Sequence, residues 1–378
     1  MLLATTLIAV MTFSIQEGVA QTLSANGILD QYAGGNADSV VRTLATSSES
    51  VSAFSRDLKT TAQSWIAARG SADARKRELA VATVALEAAR WMKPAPFGSF
   101  SVMRDDPTWE NRVDLIEWAC ELLRKHDPAL PAERSWHLAA LALIEEASSL
   151  FHAYAKFQSI GKHHVAHARL RFPDERRIDL AEAVIDLLSA GILGYPMNVT
   201  RPNFVAVVEE SGTADVPGKF GSNDTRRRVQ LAVEELAALL NDEHVGAEAQ
   251  LRLGAIELYL SQGQLALAHF DETLRLTKDP FLCYHARFFR AAALVGLNRV
   301  PEAEADYRTA LQLAPRAQSA TVGLAWLLAV NNRASDASGI VSDALSSGTI
   351  HEDPYASYDS GDFRMWTRYI ADVREAIR

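Results

Sequence analysis

The chain has 378 residues, 48% apolar and 22% charged. That is enough core-forming material for two domains or one elongated array, and it argues against long disorder. A net charge of −9 and a pI of about 5.6 leave no basic surface for phosphates, which excludes nucleic acid as an expected partner. The two cysteines, Cys120 and Cys283, form no CxxC and no zinc spacing, and both read as small apolar residues in helices rather than as a disulfide pair.

Leu2 to Ile15 is an apolar run broken only by Thr5, Thr6, Thr12 and Ser14. It is shorter than the roughly 20 residues that span a bilayer. Gly18-Val19-Ala20 puts small residues where a signal peptidase cuts. Residues 1–20 are therefore read as a signal peptide cleaved after Ala20, although no Lys or Arg precedes the apolar run; an ordinary N-terminal helix is the other reading. On the signal reading the mature chain is periplasmic or secreted, with no stable membrane insertion.

Residues 21–190 read as a divergent helical region. Glu78 to Trp91, Arg112 to Arg124 and Arg134 to Phe151 carry apolar residues at threes and fours, as in Val113, Ile116, Cys120 and Leu123. Ala168 stands five residues before Pro173, as Ala310 stands five before Pro315, so HHVAHARLRFP reads as one helix of a degenerate repeat. His163 and His167 share a helix face with i, i+4 spacing, which suits two metal ligands, and His164 lies between them. No carboxylate or cysteine stands at a useful spacing, so no metal site is assigned. In residues 191–225 the helical pattern lapses into Gly, Pro, Asn and Asp, which reads as an inserted loop. Its sequons at Asn198 and Asn223 read as chance.

From Arg226 to Leu345 the chain repeats itself. At an offset of 34, Ala291 falls on Ala325, Leu294 on Leu328, Asn298 on Asn332, Ala303 on Ala337 and Ala310 on Ala344. At 37, Gly254 falls on Ala291, Ala266 on Ala303, Phe270 on Tyr307 and Leu274 on Leu311. At 34 again, Ala232 falls on Ala266 and Leu236 on Phe270. The spacing predicts pairs of antiparallel helices. Small residues (Gly254, Ala291, Ala325) let the two helices lie close. Large ones (Phe270, Tyr307, Val341) fill the gap between neighbouring pairs. Asn298 and Asn332 fall in tight turns that need a left-handed residue, and Pro315 stops a helix.

GLNRVPEAEADYRTALQLAP and its echo AVNNRASDASGIVSDAL resemble the tetratricopeptide-repeat (TPR) family over Arg226 to Leu345. SWHLAALALIEEA with HARLRFPDERR is loosely similar to stretches of uncharacterised exported bacterial TPR proteins. The resemblance implies an all-α, right-handed superhelical solenoid of antiparallel helix pairs with a concave groove for partners. Two departures stand out: no Trp opens the pair near Gln250, and Arg290 occupies a place where the family has an apolar residue. In TPR modules that clamp a peptide carboxylate, Lys, Asn and Arg do so from the first helices. The corresponding residues here are Leu251, Ala255, Phe289, Ser319 and Gly323, so that mode is not expected. The inward side of the first helices instead offers Tyr259, His285, Phe288 and Trp326. These could anchor a peptide or helix, or serve as core under the next helix.

Residues 346–378 read as a C-terminal capping segment. Phe363, Trp366, Ile370, Val373 and Ile377 form an apolar stripe suited to closing an array, with Tyr355 and Tyr358 packed beneath. No phosphate loop, GxGxxG, HExxH or GxSxG occurs, so no catalytic residue and no cofactor are assigned. The expected function is a non-catalytic scaffold that binds a protein or peptide. The alternatives are an enzyme with its site in the N-terminal half, near Trp91 to Trp109, and a structural subunit of an envelope complex.

Overall fold

The computed structural model describes residues 24–46, 48–68, 74–91, 107–126, 162–163, 165–166, 168–170, 173–189, 223–315, 317–346, 354, 355, 358 and 374. Among these residues there are helices and turns and no strand. The chain divides into two units, one of Met1–Pro173 with Asp362–Arg378, the other of Asp174–Gly361. The proposed signal peptide, the Arg134 to Phe151 helix, most of the inserted loop and two of the clustered histidines, His164 and His167, lie outside the described residues. No helix among the described residues is long and apolar enough to cross a membrane.

The N-terminal unit contains α1 (Ala25–Ala33), α2 (Ala37–Thr46), α3 (Ser48–Ala67), α4 (Ala74–Trp91) and α5 (Pro107–Lys125). Ser24 caps α1 through its hydroxyl. Each of the other four helices packs on α4. That is why α4 has a buried run, Leu79 to Ala82 and Thr83 to Ala89, rather than an apolar stripe. Such a helix cannot keep its polar residues in water. Glu87 is buried, and burial pushes its carboxyl above the ordinary carboxylate range while the charges of Arg90 and Arg374 pull it back. Arg374 Nη2 lies 3.1 Å from Glu87 Oε1, and Arg374 Nε donates to the Tyr32 hydroxyl at 2.8 Å. The apolar stripe of residues 363–377 is expected over the end of the repeats; Arg374, within that segment, is grouped with the N-terminal unit and reaches Glu87 there. The physical reason is the buried carboxylate of α4, which needs a cation. The residues of the stripe itself lie outside the described set.

The C-terminal unit contains α6 (Arg176–Ser189), α7 (Asn223–Leu239), α8 (Gly246–Tyr259), α9 (Gly263–Leu276), α10 (Pro280–Gly296), α11 (Val300–Leu313), α12 (Gln318–Val330) and α13 (Ala334–Ser346). Asn223 to Thr225, the end of the stretch read as a loop, open α7. Every helix packs on the next, and α8 on α10 and α10 on α12 as well. Leu180, Ala183, Leu187, Val229, Ala232, Leu236, Leu253 and Ile256 make one core; a second runs from Leu251 through α9 to α13. Asp279 caps α10 by accepting from Phe281 N at 2.8 Å, and Pro280 takes a first-turn position where no N–H is required.

The turns within the helix pairs repeat atom for atom. Ser261, Asn298 and Asn332 have φ of 63°, 57° and 60°. Their amides bond back to Leu258, Val295 and Ala329, and the following amides, of Gln262, Arg299 and Arg333, bond to Glu257, Leu294 and Leu328. This is the helix-ending motif that uses one left-handed residue to satisfy orphan carbonyls. Gly35, with φ of 89°, ends α1 in the same way through Gly35 N to Tyr32 O and Asn36 N to Gln31 O. Serine adopts this conformation less readily than Asn or Gly. Ser261→Gly is therefore expected to raise the unfolding free energy by roughly 0.5 kcal/mol and Ser261→Val to lower it, measured by denaturant unfolding. A stabilised Ser261→Val would contradict the turn.

A polar contact recurs with the same register. His269 Nδ1 lies 2.6 Å from Gln250 Oε1 between α8 and α9. In the next pair Arg287 Nη1 donates to Asp306 Oδ1 at 2.7 Å, from the positions 37 residues later. Arg290, anomalous in sequence, also bonds Asp306 and reaches Asp271 of α9 at 2.7 Å. Burial works against the Arg290 charge, but Asp306 and Asp271 outweigh it and hold its pKa above the ordinary arginine value. The arginine thus ties α10 to both flanking second helices, which an apolar residue could not do. Neither Cys120 nor Cys283 is in a disulfide, and burial pushes the Cys120 thiol up to about 12.

Candidate aromatic binding face

Phe281, Tyr284, His285, Phe288 and Phe289 stand at i, i+3, i+4, i+7 and i+8 along α10, so they form one stripe. His285 and Phe288 are fully buried. What covers them is the chain's own Pro354, Tyr355 and Tyr358, all in helical backbone. Tyr355 lies 5.2 Å from Phe288 and meets Phe289 edge-on at 5.8 Å. Tyr358 lies 4.5 Å from His285 and 5.9 Å from Phe281. These are the offset and edge separations that favour aromatic pairs.

Two polar devices fix the occupant. His285 Nδ1 lies 2.7 Å from Phe281 O, and its Nε2 lies 3.1 Å from Pro354 O. A carbonyl oxygen only accepts, so the Nε2–H tautomer of the ring donates to Pro354 and the Nδ1–H tautomer to Phe281. On α8, the Arg252 guanidinium lies 4.4 Å from the centre of the Tyr358 ring. Glu248 aims it, accepting from Arg252 Nη2 at 2.6 Å and Nε at 3.1 Å. Both members of that pair are buried. A cation desolvated over an aromatic face gains more than an exposed one.

The structure therefore brings His285 and Phe288 together and places Tyr259 against a different core. Tyr259 is half-buried and packs against the core of α6, α7 and α8. Trp326, on α12, is half-buried and packs against the core that contains Phe288. Phe281, Phe289, Arg252, Tyr355 and Tyr358 complete the face. The stripe FLCYHARFF and the Tyr-x-x-Tyr spacing were its signals in the sequence. Arg252 had none, since its role depends on Glu248 and a ring more than a hundred residues away.

The face holds large apolar surface, one fixed cation and one histidine. Among the described residues no group of three His, Cys, Asp or Glu side chains could hold a metal ion. No protein-family model matches the chain, and comparison with curated proteins finds no match.

Proposed function

We propose that the chain is an exported TPR-like solenoid that binds a protein or peptide partner along its first helices, α8, α10 and α12, and carries no catalytic site. The recurring turn at Ser261, Asn298 and Asn332 and the contacts of α8 with α10 and α10 with α12 support the stacked-hairpin reading. One observation carries the binding reading: a helical segment of the chain sits on the aromatic stripe of α10, with a hydrogen bond to His285 and a cation over its second tyrosine. Laying an apolar helical face into such a surface is a recurrent mode of peptide recognition.

The same observation favours a second reading, a structural subunit whose face is filled by its own chain. Selection of a displayed peptide library on the full chain, carrying either the native residues or Tyr355→Ala with Tyr358→Ala, separates the two. The binding reading expects enriched peptides whose capture falls on Arg252→Ala. If neither form enriches any peptide, the binding reading fails and the structural one stands.

A further inference from the structure

The occupant on α10 is itself a statement of what the face reads. Resting on the binding function above, we propose that the face is a receptor for a helical turn bearing two tyrosines three residues apart, and that the chain's own Pro354, Tyr355 and Tyr358 hold it shut in cis. The recognition elements divide by chemistry. Phe288 and Phe289 take the first ring, Tyr355. His285, Phe281 and the Arg252 guanidinium take the second, Tyr358. His285 Nε2 reads the carbonyl of the residue before the first ring, Pro354.

Residues i and i+3 lie on one side of a helix, so a single turn delivers both rings and no longer ligand is needed. Arg252 adds discrimination: a cation over a ring selects an aromatic side chain against an aliphatic one of equal volume. The pocket for the second ring combines that cation with the His285 and Phe281 rings. The first ring meets Phe288 and Phe289, with the His285 ring 6.3 Å away.

Tethering gives the cis segment an effective concentration on the order of millimolar, so an outside peptide must compete with it. Its apparent dissociation constant is the intrinsic one divided by the fraction of chains with the face open. The partner class that follows is a protein displaying a Tyr-x-x-Tyr helical turn, bound once the chain's own segment has been drawn away.

A fluorescein-labelled peptide of residues 349–361, TIHEDPYASYDSG, tests this in solution against the full chain. Tyr355→Ala with Tyr358→Ala is expected to bind it saturably, at least about tenfold tighter than the native chain does. Adding Arg252→Gln should weaken that binding severalfold, and a peptide with both tyrosines changed to alanine should not bind. A second readout guards against a destabilised variant: the native-sequence peptide should raise the melting temperature of the double variant and leave the native chain unchanged. Equal binding to both forms, or no saturable binding with no melting shift, overturns the proposal. So does a native chain that is dimeric by light scattering and becomes monomeric in the double variant, since the occupant would then come from a second copy. If library selection instead enriches unrelated sequences at this face, the tyrosine reading falls and the broader binding function survives.

Discussion

Phe288→Ala is expected to lower the unfolding free energy of the C-terminal unit by about 3–5 kcal/mol, the range for removing a fully buried aromatic ring. The ring has no exposed surface. It stacks on Tyr284 at 6.1 Å and lies 5.5 Å from Phe289 and 6.0 Å from Tyr307, so its loss opens a cavity between α10 and α11. Tyr355→Ala removes a neighbour of the same ring, yet should cost much less. On the proposal above its segment leaves the face and water enters, whereas the α10–α11 contact cannot relax without separating two helices. Denaturant unfolding followed by circular dichroism, with hydrogen exchange on α10, compares the two. A Phe288→Ala chain as stable as the native one would show that the ring is a surface contact and not part of the core.

Gly254→Val and Gly323→Val should each cost about 1–3 kcal/mol through overpacking, a little less than the clash alone would give because valine is a better helix former than glycine. A Cβ at Gly254 would stand 2.5 Å from Phe270 Cε1, and one at Gly323 would stand 2.7 Å from Tyr307 Cε1. The two rings occupy equivalent repeat positions but lean opposite ways. Phe270 has Phe289 ahead of it at 6.0 Å and settles on Gly254 of its own hairpin. Tyr307 has alanine behind it, at Ala291, and settles on Gly323 of the next helix. Each ring goes where the missing side chain leaves room. The rescue pattern is the diagnostic. Phe270→Leu should restore part of the loss in Gly254→Val and none in Gly323→Val, and Tyr307→Leu should do the reverse. Rescue without that pairing would mean that the helices are not in this register.

The repeat-bearing helices were legible because their signals are local. Asn298 and Asn332 mark turns by a residue type that accepts positive φ, and their φ values bear this out. Ser261, the third member, carries no such mark, since serine is an ordinary residue in many settings. The aromatic face was half legible. Spacing placed His285 and Phe288 on one stripe, but spacing does not say whether a stripe meets solvent, a partner or the chain itself. It grouped Tyr259 with them, and the structure sends Tyr259 to a different core.

The sequence by itself determined the helices, their small-against-large positions and the interval at which they recur, because backbone geometry and side-chain size act over a few residues. Only the tertiary structure decided who covers whom. Arg374 goes to Glu87, and Tyr355 and Tyr358 go to α10. Those pairings join residues far apart along the chain. They are settled by which buried charge or exposed apolar face is left without a neighbour once the helices have packed, and that is a property of the assembled surface rather than of any stretch of sequence.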